Sequence, residues 1–212
     1  MLEVRALSYT PDQSPLLQGI NFCLNQGRTL HVQGVNGTGK TSLMRLIAGL
    51  IPCEQGEVLW HGRRIKQAAD YQGQLTYVGH QTGCFMPLSL RHNLSWHYRL
   101  MFAAASSDKK KHSALLDTAL DFAGIKTRQD MLFYRLSAGQ KQRLHLARLW
   151  LSVHHAMHHL WLLDEPLAHV DQRTKASYFE LFAAFKQQQG ILVIASHQDQ
   201  QEIAADYHIV LS

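Results

Sequence analysis

Long apolar runs are missing from this sequence. Nowhere do about 18 consecutive residues stay apolar, the length a bilayer-spanning helix needs. The first residues, MLEVRALSYT, show no basic stretch leading into an apolar one, so no secretory leader is expected. Cysteine is scarce: Cys23, Cys53 and Cys84 are widely spaced and form no C-x-x-C pair. They match no metal or thiol-redox spacing and cannot all pair, which points to a reduced, cytoplasmic compartment. With only 5 prolines, 46% hydrophobic and 17% charged residues, a disordered, collagen-like or coiled-coil chain is excluded. At 212 residues, folding buries roughly 70% of the unfolded chain's surface, and one domain is expected. The net charge of +5 is compatible with an anionic partner or with solubility alone. Its only block, Lys109-Lys110-Lys111, reads as a solvated loop.

What is present is an alternation of strands and helices. Leu30 and Val32 alternate with Thr29, His31 and Gln33, a strand pattern leading into the glycine-rich segment Gly34 to Gly39. Thr41 to Ala48 carries apolar residues at helical spacing and ends at Gly49. Glu57 to Trp60 reads as a strand followed by a His61-Gly62 turn, and Gln74 to Gly79 as a further strand. Leu88 to Trp150 is mostly helical, broken at Ser106–His112 and at Gly124. Leu160–Leu163 and Ile191–Ala195 are continuous apolar runs, as in parallel strands buried on both faces. Tyr207–Leu211 looks like a last strand. The expectation is an α/β sandwich interrupted by a helical insert near 86–150.

Three motifs carry chemistry. Gly34-Val35-Asn36-Gly37-Thr38-Gly39-Lys40-Thr41 fits G-x-x-x-x-G-K-[ST], between a strand and a helix. Glycines let backbone N–H groups converge on phosphate oxygens, and the helix start adds its positive dipole end. Lys40 suits the β- and γ-phosphates, and the Thr41 hydroxyl suits Mg²⁺. In Leu160–Glu165 an apolar strand delivers Asp164, a carboxylate for Mg²⁺, with Glu165 beside it to polarise an attacking water. Third, Leu136-Ser137-Ala138-Gly139-Gln140 opens a helix with Ser137 as N-cap. Lys141 and Arg143 in its first turns are either indifferent surface cations or a sign that an anion docks there.

Together these residues resemble the ATP-binding-cassette ATPases over nearly the whole chain. The resemblance implies an α/β fold: a P-loop NTPase core, RecA-like with an antiparallel β sub-lobe, plus a helical subdomain. Residues 1–212 would form one such domain, with the core at about 1–85 and 151–212 and the helical subdomain at about 86–150. Tyr9 then matches the residue that stacks on adenine, and Gly34 to Thr41, with Ser42, the Walker A loop. Gln81 matches the Q-loop glutamine, a Mg²⁺ ligand. Ser137, Ala138, Gly139 and Gln140 match the signature, Asp164 and Glu165 the Walker B pair, Asp171 the D-loop aspartate, and His197 the switch histidine that senses the γ-phosphate. Ala138 departs from the usual glycine, which is tolerable only without positive φ. Leu167–Asp171 departs from the usual D-loop run.

The resemblance further implies ATP and Mg²⁺ as cofactors, and a homodimer that closes head to tail on ATP so that each signature completes the partner's site. It implies transmembrane permease subunits as partners, a peripheral position on the cytoplasmic face of the bacterial inner membrane, and no nucleic acid. Leu136–Gln140, Ala147–Leu151, Gly79–Gln81 and Trp161–Pro166 resemble most the subfamily serving haem export in bacterial cytochrome c maturation. The short chain, stopping after its final strand, fits that subfamily too. No direct haem ligation is expected, since no C-x-x-C-H is present. An ABC ATPase for another substrate shares every catalytic residue. A soluble, non-transport ABC protein usually carries two cassettes or a long coiled-coil insert, for which 212 residues leave no room.

Two features remain open. Phe85-Met86-Pro87-Leu88 suits either a docking pocket for a membrane-subunit helix or a hinge buried between lobes. His154, His155, His158 and His159 form i,i+4 pairs if helical, a spacing that can grip Zn²⁺, Cu²⁺ or Ni²⁺. With no acidic partner nearby in sequence, a solvated surface insertion is the expected reading.

Overall fold

Nine strands and five α-helices are arranged in a computed structural model that describes residues 1–11, 14–79, 83–101, 109–155, 159–197 and 203–212. The chain divides into two compact units. One comprises Met1–His80, His158–Pro166 and Phe185–Ser212, the other Gln81–Met157 and Leu167–Ala184. The helical insert expected near 86–150 lies within the second unit, which also takes in residues 167–184.

The first unit holds two sheets. β1 (Leu2–Tyr9) pairs antiparallel with β2 (Leu17–Leu24) and with β4 (Gln55–Trp60), which turns through the left-handed His61 and Gly62 into β5 (Arg63–Arg64). The second sheet is parallel. It is built from β3 (Thr29–Gln33), β6 (Leu75–Val78), β7 (Leu160–Asp164), β8 (Ile191–Ser196) and β9 (Tyr207–Val210), in the order β6-β7-β8-β3-β9. β7 and β8 are buried along their whole length, as their continuous apolar runs require.

α1 (Lys40–Ile47) joins both sheets into one core. Its Leu43, Met44, Leu46 and Ile47 cluster with Leu2, Val4 and Val58 of the antiparallel sheet and with Leu30, Val32, Leu162 and Val193 of the parallel one. Alternation along β3 therefore sends His31 and Gln33 to the opposite face. On that face Trp161 stacks on Phe185, rings 3.9 Å apart. Gly49, left-handed at φ 70°, ends α1, with Gly49 N–H on Leu46 O and Leu50 N–H on Arg45 O.

The second unit contains α2 (Leu90–Met101), α3 (Lys109–Phe122), α4 (Ala138–His155) and α5 (Gln172–Gln187) as far as Ala184. Asn93 is fully buried at the start of α2. Its amide accepts from Phe85 N–H and donates to the carbonyls of Phe85, Leu88 and Ser89, which fixes the turn before the helix. The lysine block is not a loop: Lys109–Lys111 form the first turn of α3. Lysine is a good helix former, and polarity alone does not mark a break. Burial, then the neighbouring Arg148, lowers His97 to about 3 and holds His145 well below the usual imidazole range.

Candidate nucleotide site and signature helix

β3 delivers the chain directly into the glycine-rich loop. Gly39 is the N-cap of α1, left-handed at φ 96°, and no side chain caps the helix. That φ strains any residue with a side chain, and a Cβ at Gly39 would also crowd Leu17 Cδ2 of β2 at 2.9 Å. The first turn holds Lys40, Thr41 and Ser42 and no acidic residue, which leaves a positive helix start with open N–H groups. Lys40 is buried. Its ammonium donates to Gly34 O at 2.6 Å and Val35 O at 3.1 Å, and lies 3.8 Å from Glu165 Oε1. Tyr9 is the register partner of Leu17, the residue packed on Gly39, which brings the end of β1 to the same edge.

The acidic side of the site comes from β7 and β8. Asp164 ends β7, only 3% exposed, and accepts the Thr41 hydroxyl on Oδ2 at 2.7 Å. Glu165 follows in a left-handed conformation, φ 53°, with its N–H on Ala195 O at 2.9 Å. A non-glycine residue in that region is strained by roughly 1–3 kcal/mol and persists because the surroundings hold it. Its Oε2 accepts from His197 Nδ1 at 2.9 Å. Since a carboxylate only accepts, Nδ1 carries the proton. One carboxylate thus stands between an ammonium and an imidazole, and hard oxygens of Thr41 and Asp164 meet beside them. Such a donor set fits a polyphosphate with Mg²⁺.

The signature segment, in the second unit, begins α4. Ser137 and Gln140 form a capping box: Gln140 N–H donates to Ser137 Oγ at 3.3 Å and Ser137 N–H to Gln140 Oε1 at 3.0 Å. Ala138 opens the helix and has no positive φ, so the methyl group that replaces the usual hydrogen meets no backbone strain. Space at Gly139 is tight: a Cβ there would stand 3.1 Å from His169 O, which would have to give by a few tenths of an ångström. Asp171 caps α5 through Thr174 N–H and pairs with Arg143 at 2.6 Å. The Thr174 hydroxyl and N–H, then Arg143, hold its carboxyl down to about 2.

The two cations singled out on this helix are engaged. Arg143 is tied to Asp171, and Lys141 lies over the Phe133 ring at 5.4 Å. The signature cavity, about 360 Å³, is lined by Ser137, Gly139, Gln140, His169 and Asp171, together with Arg128. The sequence pattern did not single out Arg128. It sits in a short 3-10 turn, Lys126–Arg128, and its guanidinium forms no ion pair among the described residues. No motif surrounds it, so only folding reveals its place.

Gln81 lies outside the described residues, as does His158. His154, in the last turn of α4, stacks on Trp150, rings 3.8 Å apart, with Nδ1 bonded to Trp150 O. His159 is not helical: its backbone joins Gln74 O and Ile191 N–H ahead of β7. The i,i+4 pairing of His155 with His159 is therefore corrected, because α4 ends at His155. Among the described residues no group of three or more His, Cys, Asp or Glu could hold a metal ion. Phe85 and Met86 are about half exposed, and Phe85 meets the exposed Trp96 edge-on at 5.4 Å.

Residues 17–168 match the family described as ABC transporter. A cytochrome c biogenesis ATP-binding export protein CcmA from Vibrio cholerae is 38% identical over 200 residues, covering 94% of this chain and 92% of that protein. The protein of the same name from Aliivibrio fischeri is 36% identical over 200 residues, covering 94% and 93%. Among solved structures, a putative ABC transporter ATP-binding protein from Pyrococcus furiosus aligns at TM-score 0.78 and 21% identity, covering 99% of this chain and 96% of that one. CbiO1 from Clostridium perfringens, part of an ABC transporter complex, aligns at 0.75 and 24%, covering 100% and 84%.

The chain belongs to the ATP-binding family of ABC transporters. It is an ATPase that binds ATP as part of a transporter complex, and so it works with membrane permease partners. Among the described residues no helix is long and apolar enough to cross a membrane.

Proposed function

We propose that this chain is the ATP-hydrolysing subunit of the haem-export complex of cytochrome c biogenesis, peripheral on the cytoplasmic face of the inner membrane. The observation that carries the hydrolytic part is Glu165, held between Lys40 and His197 beside the Thr41–Asp164 pair. The named relatives, 36–38% identical over 94% of the chain, support the biological part.

In this reading the Gly34–Ser42 loop binds the phosphates through its amides and Lys40, and Tyr9 stacks on the base. Thr41, Asp164 and Gln81 would hold Mg²⁺, which neutralises charge on the phosphates. Glu165 takes a proton from the attacking water, and His197 orients Glu165 and the γ-phosphate. Ser137, Gly139 and Gln140 of a second copy, with its Asp171, complete the site when two copies close on ATP. Residues 1–212 act as one ATPase domain. The Phe85–Met86–Trp96 patch receives a helix of the permease, which its aromatic and thioether exposure supports.

The test is to trap Glu165→Gln with ATP in native membranes, purify it and identify what accompanies it. Membrane subunits with a haem-carrying protein support the assignment. An unrelated permease leaves the hydrolytic reading standing and removes the haem assignment. Recovery on ribosomes overturns the membrane role.

A further inference from the structure

His31 stands at the centre of β3, where a strand covered on both faces is ordinarily apolar, and it is fully buried. An imidazole there is tolerated only if its nitrogens are bonded. Nε2 lies 2.7 Å from Ser196 Oγ, and Nδ1 lies 3.3 Å from Gln33 Nε2. The His208 ring of β9 stands edge-on at 5.7 Å. The Gln33 amide nitrogen only donates, so Nδ1 accepts and Nε2–H donates to the serine. The two partners matter by position. Gln33 immediately precedes Gly34 of the phosphate loop, and Ser196 immediately precedes His197. They are also register partners on the last rung of the β3–β8 ladder, where a pair of strands frays first. Beside that rung, Ala195 O receives the Glu165 N–H.

We infer that His31 is a positioning residue: one buried imidazole clamps the end of β8 to the start of the phosphate loop and so sets His197 and Glu165 against the bound phosphates. The inference rests on the reading of Glu165 and His197 as the hydrolytic pair. Released from the clamp, the β8 end keeps its backbone ladder and the fold survives, but the geometry of attack loosens. The loss then falls on turnover rather than on nucleotide binding.

Three variants of the full-length chain separate this from a packing role: His31→Leu, which removes both bonds, His31→Gln, which can remake them, and Ser196→Ala, which removes one with little change of volume. Expected for His31→Leu and Ser196→Ala are about tenfold lower kcat and a Kd for MgATP within about twofold of wild type. Expected for the double variant is no further loss, and for His31→Gln recovery of most of the rate. In ¹H–¹⁵N spectra of histidine rings, which need no turnover, His197 signals should move in both damaging variants and return with His31→Gln. Wild-type kcat with unmoved His197 signals in Ser196→Ala overturns the inference, as do losses that multiply in the double variant. His197→Ala and Glu165→Gln, assayed alongside, keep the two readings apart. If they hydrolyse ATP at the wild-type rate, the hydrolytic pair is wrong, and unmoved His197 signals alone then condemn the clamp.

Discussion

α1 and α4 both begin on glycine-containing motifs, both lack acidic residues in the first turn, and they start in opposite ways. α1 is uncapped: Gly39 at φ 96° offers no side chain, and its orphan N–H groups stay available. α4 closes on itself, with Ser137 and Gln140 capping each other. The cations differ as well. Lys40 is buried against loop carbonyls and Glu165, whereas Lys141 and Arg143 are drawn off to Phe133 and Asp171. A helix start that is open and carries its own buried cation suits an anion bound within one copy. In the proposed two-copy reading, a capped start suits an anion that arrives with a second copy, its phosphate competing with the capping side chains.

Substitutions at the two helix starts should therefore have separable effects. Ser137→Arg breaks the capping box and fills the signature cavity; turnover that needs two copies should vanish while a single copy still binds ATP. Loss of nucleotide binding in a titration of that variant would break the contrast between the helices. Glu165→Gln leaves an amide that cannot take a proton, and kcat should fall by about 10² or more with ATP still bound. Wild-type turnover would remove Glu165 from the hydrolytic role.

Lys40→Ala acts at the open start and should weaken ATP binding by about tenfold or more, as expected for the loss of a hydrogen bond to a charged group. Unchanged affinity by calorimetry would mean that the loop amides alone suffice. Gly139→Ala should lower turnover several-fold with Tm shifted by only about 2 °C, since the Cβ presses on His169 O at 3.1 Å. Equal loss of Tm and rate would make Gly139 a packing residue only.

The smallest effect concerns Asp206, which immediately precedes β9. Burial pushes its carboxyl up, but Thr29 N–H, Arg28 and Lys186 outweigh it and hold it down to about 2. The depressed value means that its stabilisation is present above about pH 4 and is lost as pH falls through about 2. Asp206→Asn should lower Tm by a few degrees at pH 7 and flatten the decline between pH 4 and 2. An unchanged acid profile would show that the β9 attachment does not depend on this charge.

Legibility followed the locality of the signal. β3, α1, β7 and β8 are plain in the sequence, because period two, period 3.6 and continuous apolar runs each lie within a few residues. β1 and β2 are not legible as separate strands: they alternate imperfectly, with register shifts around Val4, Leu7 and Tyr9, and are held by pairing with each other and β4. α5 is also hard to tell apart in the sequence, although Tyr178, Phe182 and Phe185 repeat at helical spacing, because it starts directly after the D-loop residues. Lys109–Lys111 misled through polarity, since helix propensity is indifferent to the charge that solvates a side chain.

Residue identity and spacing were enough to define a phosphate loop, an acidic strand end and a capped signature helix, since each depends on neighbours along the chain. Pairings across the chain needed the fold. The bond between Thr41 and Asp164 spans 123 residues, and that between His31 and Ser196 spans 165. No local pattern encodes which partner a buried polar group will meet; that is settled when the parallel sheet places β3, β7 and β8 side by side and leaves each such group only the neighbours within hydrogen-bond reach.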